Sequence, residues 1–162
     1  MKDFNINIEN NDEWFTPPYI TDALGWFDLD PCMSQSHLEV IGRRQNYTKE
    51  FDGLSQIWKD RVWCNPPYGK HTFDWIKKLA NHGNGIALIF TRTETKGFHA
   101  QVWKRANAIF FFKGRLKFYY KNGIEAGFAN APSCLVAYGV NNVIALEKSG
   151  LSGCLIKLKE TE

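Results

Sequence analysis

Arg61-Val62-Trp63-Cys64, then Asn65-Pro66-Pro67-Tyr68, then Thr72 to Asn81, then Gly85-Ile86-Ala87-Leu88-Ile89-Phe90 follow one another along the chain. Their order decides the fold class. The first run is a compact apolar strand, halted by two prolines that fix φ and remove backbone donors. The third carries Phe73, Trp75, Ile76 and Leu79 at the spacing of an amphipathic helix, and the fourth is the unbroken apolar run of a buried strand. Strand, loop, helix, strand is the repeating unit of a parallel sheet.

The same alternation extends outward. Downstream, a helix over Gly97 to Arg105 leads to a strand at Ala108 to Phe112. Upstream, Pro18 suits the first turn of a helix covering Tyr19 to Leu24, and Trp26 to Asp30 makes a short strand ending at Pro31. Ser36 to Tyr47 fits neither pattern. The expectation is an α/β domain with a largely parallel sheet and a ligand crevice outside the carboxyl ends of its strands. Past Gly114, Leu116 to Tyr120, a Lys121-Asn122-Gly123 turn and Ser133 to Tyr138 read as an antiparallel hairpin completing the sheet. Val143 to Leu158 is expected to add one or two edge strands.

A chain of 162 residues supplies one core and not comfortably two, so residues 14–162 are expected to form a single domain. Residues 1–13, rich in Asn, Asp and Glu, read as a flexible arm that orders on contact with a ligand. The balance of 44% hydrophobic and 23% charged residues excludes a disordered chain. Aromatics reach 15%, more than a small core needs, which leaves some to line a site that stacks on flat rings. A net charge of +3 permits nucleic-acid binding without demanding it. From Arg92 to Lys121, however, eight basic residues face one acid, Glu94, and that stretch serves either as a phosphate-binding surface or as a solvated face.

Cys32, Cys64, Cys134 and Cys154 show neither a C-x-x-C pair nor a zinc-ligand spacing, so no metal is expected. No stretch approaches the ~20 apolar residues of a membrane span, and the start of the chain lacks a signal-type apolar segment. A reducing, cytoplasmic setting is the expectation.

The tetrad Asn65-Pro66-Pro67-Tyr68 carries the chemistry. At usual residue frequencies it arises by chance in about one chain of this length in a few thousand, and here it also sits at a strand's carboxyl end. A rigid turn is the plain alternative, but a turn alone does not require the aromatic. An adenine amino nitrogen is a poor nucleophile because its lone pair is delocalised into the ring. Acceptors on its two N–H groups draw it toward tetrahedral geometry and localise that pair. The Asn65 side-chain oxygen and the Pro66 carbonyl supply such acceptors, stiff prolines hold them in place, and Tyr68 stacks on the base.

The tetrad resembles the catalytic motif of the S-adenosylmethionine-dependent amino-methyltransferases. Together with Trp14-Phe15-Thr16-Pro17-Pro18, Asp28-Leu29-Asp30-Pro31-Cys32, Asp52-Gly53-Leu54 and Gly114-Arg115-Leu116-Lys117-Phe118, the sequence resembles the phage and prophage DNA N6-adenine methyltransferases. The resemblance implies a Rossmann-like methyltransferase fold, S-adenosylmethionine as methyl donor, double-stranded DNA as partner and a bacterial setting. It assigns Trp14, Thr16, Pro17, Asp30, Pro31 and Asp52 to the cofactor, with the Thr16-Pro17 turn and Asp30 at its methionine end. Asp52 takes the adenine or ribose end, unless it simply caps a turn with Gly53. Asp30-Pro31-Cys32-Met33-Ser34 departs from the family pattern in having no glycine. Only 22 residues separate Asp30 from Asp52, little room for the usual second strand and helix, and Glu39 competes with Asp52 for the ribose.

The DNA-facing set comprises Pro67, Arg92, Thr93, Lys96, Arg115 and Lys117. Arg92, Arg115 and Lys117 are expected on phosphates and Thr93 or Glu94 near the target base, while a loop whose Thr95 caps the next helix is the alternative for Arg92 to Thr95. The expected reaction is N6 methylation of a flipped adenine by direct in-line transfer. An RNA adenine or a protein glutamine fits the same two acceptors, and a non-catalytic nucleic-acid-binding relative is the remaining reading.

Overall fold

The computed structural model describes residues 15–34, 40–119 and 124–160. The expected arm, Trp14, Glu39 and the Lys121-Asn122-Gly123 turn lie outside the described residues. In chain order the elements are α1 (Pro18–Leu24), β1 (Phe27–Asp30), β2 (Gly42–Asn46), β3 (Val62–Cys64), α2 (Thr72–His82), β4 (Gly85–Phe90) and α3 (Lys96–Phe98), which continues as a π-helical turn, His99–Trp103. There follow β5 (Ala108–Phe112), β6 (Lys117–Tyr119), β7 (Glu125–Phe128), β8 (Ser133–Tyr138), α4 (Val140–Lys148) and β9 (Gly153–Lys157).

Seven strands form one sheet in the order β2-β1-β3-β4-β8-β5-β9, and β6 pairs with β7 in a separate ribbon. Neighbours from β2 to β4 are parallel; β8 runs antiparallel between β4 and β5, and β9 antiparallel along β5. The result is the mixed α/β class, with β1 to β5 all pointing one way. Apolar side chains cover both sheet faces, as the unbroken runs of β4 and β8 require. On one face Ile76 and Leu79 of α2 pack with Phe98 and Val102; on the other, Ile20 and Leu24 of α1 pack with Val143 and Leu146 of α4. Helix α2 stops at Gly83, whose φ of 80° is left-handed and whose N–H reaches the Leu79 carbonyl at 2.8 Å.

Three expectations change. Ser133 to Tyr138 does not form the hairpin with Leu116 to Tyr120, because all six of its residues are buried and it is drawn into the sheet centre between β4 and β5. The strand at Lys117–Tyr119 closes locally on Glu125–Phe128 instead. In the tail, Val143 to Lys148 is helical within α4, and the edge strand is Gly153–Lys157. The room between Asp30 and Asp52 does admit a second strand, β2, registered parallel to β1 through Leu29↔Gln45 and Asp30↔Asn46.

Candidate active site

Strands β2 and β3 flank β1 on opposite sides, so the chain reverses its direction of travel across the sheet at β1. A crevice opens where such a reversal occurs, outside the carboxyl ends of the strands. There the structure has a cavity of ≈ 280 Å³. Its walls bring together Thr16 from the segment before α1, Asp30 and Pro31 from the end of β1, Asp52, and Asn65 to Tyr68 after β3. Residues dispersed over more than fifty positions of sequence thus converge on one space.

The loop after β1 is held by its own carboxylate. Asp30, 4% exposed, accepts the Cys32 N–H at 3.0 Å, which turns the chain at Pro31. Opposite it, a Cβ on Gly53 would lie 2.1 Å from the Pro31 carbonyl oxygen, so only glycine lets these two loops close together. Asp52 ends a short 3₁₀ turn, Lys49–Phe51, in left-handed backbone at φ 44°, and Ser55 N–H and the Trp58 indole N–H secure the turn on the carbonyls of Asp52 and Gly53. Asp52 closes a turn through its backbone, as the alternative for it had it, and it also lines the cavity. Cys32 and Cys64, far apart in sequence, bring their sulfurs to 3.9 Å. Burial, the contact with Cys64 and the charge of Asp30 push the Cys32 thiol up, so it stays protonated and adds no nucleophile.

The tetrad is fixed from both sides. Pro66 is buried and Pro67 exposed, and the Thr72 hydroxyl of α2 donates to the Pro67 carbonyl at 2.8 Å. Asn65 donates through Nδ2 to the Thr16 hydroxyl at 3.1 Å. Its Oδ1 is buried and has no hydrogen-bond partner among the described residues. A buried amide oxygen left unpaired is costly, which is why such an atom points to a ligand. Tyr68 stacks on Phe90 with ring centroids 4.2 Å apart and planes 15° from parallel. Its hydroxyl, also buried and without a partner among the described residues, is pushed up by burial.

Trp63 was legible only as a core strand residue, yet it lines the cavity, and its indole N–H has no partner among the described residues. Alternation along β3 puts positions 63 and 65 on one face, the signal that could have found it. Trp75 of α2, Thr48 and Lys49 also line the cavity without a sequence signal.

The basic residues expected to face DNA lie elsewhere. Arg92, Thr93 and Lys96 follow β4 outside the cavity lining, where Thr95 caps α3 by accepting the Phe98 N–H at 3.3 Å and the Trp103 indole holds the Thr93 carbonyl. Arg115 donates to the Ala129 carbonyl, and Lys117 pairs with Glu125 at 2.7 Å while lying over the Phe128 ring. Both side chains are exposed on the β6–β7 ribbon, which Tyr119 joins to the cavity wall by exchanging two backbone hydrogen bonds with Phe15.

Among the described residues no cluster of three or more metal-ligating side chains occurs, and no helix is long and apolar enough to cross a membrane. Comparison with curated proteins and with solved structures found no match. Comparison with protein families did: residues 4–141 match the family described as DNA N-6-adenine-methyltransferase (Dam). The matched span contains every cavity residue named above, and the chain belongs to the DNA N-6-adenine-methyltransferase (Dam) family.

Proposed function

We propose that this chain methylates the exocyclic N6 amino group of adenine in double-stranded DNA, on a base flipped out of the duplex and held beside Asn65. The observation that carries the proposal is the Oδ1 of Asn65, just past the carboxyl end of β3, which is buried and without a partner among the described residues. An acceptor fixed there before the reaction needs no reorganisation as the amino nitrogen gains positive charge, and that preorganisation is the main source of rate in such sites. The Pro66 carbonyl takes the second N–H. Tyr68, backed on one face by Phe90, offers its other face to the base.

The cavity suits S-adenosylmethionine, whose amino-acid end needs an acceptor and a donor close together. Asp30 supplies a buried carboxylate there and Trp63 an indole N–H without a partner among the described residues. The Thr16-Pro17 turn and Pro31 wall that end, and Asp52 takes the ribose, which Glu39 was the other candidate to hold. When bound, S-adenosylmethionine supplies an electrophilic methyl group on a sulfonium, so the protein's own task is to align and polarise the acceptor. The strand order, with β8 inserted antiparallel between the co-directional β4 and β5, fits a Rossmann-like methyltransferase fold. Arg92 and Lys96 after β4, with Arg115 and Lys117 on the ribbon, are the residues proposed to meet phosphates, and Pro67 and Thr93 to approach the base and its neighbours.

Single-turnover methylation of an adenine-containing duplex tests this. Asn65→Ala is expected to lose on the order of a hundred- to a thousandfold in rate while both ligands still bind, since its oxygen acts chiefly in the transition state. Near-normal turnover by that variant would reduce the tetrad to a rigid turn.

A further inference from the structure

We infer that Thr16 is a positioning residue for methyl transfer, fixing which end of the Asn65 amide faces the reacting amino group. The inference rests on the role proposed for Asn65 and adds to it a residue 49 positions upstream. An asparagine amide carries an acceptor at one end and two donors at the other, and the two ends are nearly identical in shape. Presented the wrong way round, it sets N–H donors against the N–H donors of an adenine amino group and neither polarises nor holds it. Something must choose the orientation.

The Thr16 hydroxyl makes that choice once its own proton is given to the bound cofactor, because it can then only accept from Asn65. It takes the Nδ2 end at 3.1 Å, which leaves Oδ1 as the end that is buried and without a partner among the described residues, on a residue that lines the cavity. Thr16 is itself 6% exposed, and the chain holds it from both sides. On one side Phe15 exchanges backbone hydrogen bonds with Tyr119 at 3.1 and 3.3 Å; on the other, the buried Pro17 leads into α1, its carbonyl accepting the Ile20 N–H at 3.1 Å. The anchor thus stands on two elements outside the catalytic loop. A hydroxyl accepting one hydrogen bond keeps its own proton to donate, so this role coexists with a contact to the cofactor. Valine at position 16 keeps the shape and removes the acceptor; serine keeps the acceptor.

Steady-state and single-turnover methylation by wild type, Thr16→Val, Thr16→Ala, Thr16→Ser and Asn65→Ala tests the inference, with cofactor affinity measured by calorimetry. At saturating cofactor, Thr16→Val and Thr16→Ala are expected to lose about tenfold to a hundredfold in kcat, the scale of a misplaced reacting group, beyond any loss of cofactor affinity and with KM for DNA little changed. Thr16→Ser is expected to restore kcat. In ¹⁵N-labelled protein, the side-chain amide signals that vanish in Asn65→Ala are expected to shift in Thr16→Val and to return in Thr16→Ser. Wild-type kcat in both Thr16→Val and Thr16→Ala, a loss confined to cofactor affinity or KM, or a Thr16→Ser variant as slow as Thr16→Val would overturn it. An inactive Asn65→Ala beside a fully active Thr16→Val refutes the positioning role alone, whereas an active Asn65→Ala refutes the reading of the site as well.

Discussion

Asn65 and Tyr68 sit three residues apart and are tuned in different ways. Asn65 has one end of its amide satisfied and the other buried without a partner among the described residues, whereas the Tyr68 ring is backed on one face by Phe90 and its hydroxyl has no partner among the described residues. The ring is therefore the useful part of Tyr68, and the hydroxyl is a buried group whose desolvation is not offset by any described residue. Tyr68→Phe removes that cost and keeps the stacking face. It is expected to retain most activity and to unfold at the same or a higher denaturant concentration, a gain of up to roughly 1 kcal/mol. Tyr68→Ala, by contrast, is expected to lose ~1 to 3 kcal/mol in holding the base. A Tyr68→Phe variant that binds and unfolds like wild type yet is inactive would assign the hydroxyl a chemical role.

At the scale of elements, the site needs β1 and β3 to end side by side, and Arg61 does much to hold them so. Its backbone N–H donates to the Asp28 carboxylate, and its guanidinium reaches the carbonyls of Leu24 and Trp26 and the Asn142 side chain at 2.7 to 2.9 Å, joining β1, α1 and α4 at the end opposite the cavity. Burial pulls the Arg61 pKa down while Asp28 pushes it up, and the group stays charged. Arg61→Ala is expected to cost roughly 1.5 to 3 kcal/mol in urea unfolding, with Arg61→Lys recovering only part because an ammonium lacks the planar fork. Unchanged stability would mean that packing alone aligns the strands. The elements nearest this one in sequence were also the most legible. Strand β3, helix α2 and strand β4 announce themselves through local periodicity, which needs no partner to be read. Strand β2 does not, since its Gly42-Arg43-Arg44-Gln45-Asn46 has three exposed side chains and owes its strand form to backbone pairing with β1. The place of β8 was illegible for another reason: a six-residue apolar run fits between any two buried strands, and only the tertiary fold selects β4 and β5. In the site the same division holds. Asn65 was legible because its residue type and its prolines imply chemistry, while the contact with Thr16 spans 49 residues and leaves no mark on local pattern.

Taken whole, the molecule places an apolar-walled cavity and a buried acceptor without a partner among the described residues at one end of the sheet, and extends beside them an exposed ribbon carrying Arg115 and Lys117. The backbone pairing of Tyr119 with Phe15 makes that ribbon continuous with the cavity wall. The central claim is that the chain forms N6-methyladenine in DNA by way of this acceptor. Incubating purified wild type and Asn65→Ala with S-adenosylmethionine and duplex DNA, RNA or a glutamine-bearing protein, followed by mass spectrometry of the digested nucleosides and peptides, measures it directly. The expected result is N6-methyldeoxyadenosine from duplex DNA with wild type, at least about a hundredfold less with Asn65→Ala, and no comparable product from RNA or protein. Methylation that falls on RNA or glutamine instead, or equal N6-methyldeoxyadenosine from both proteins, would contradict it.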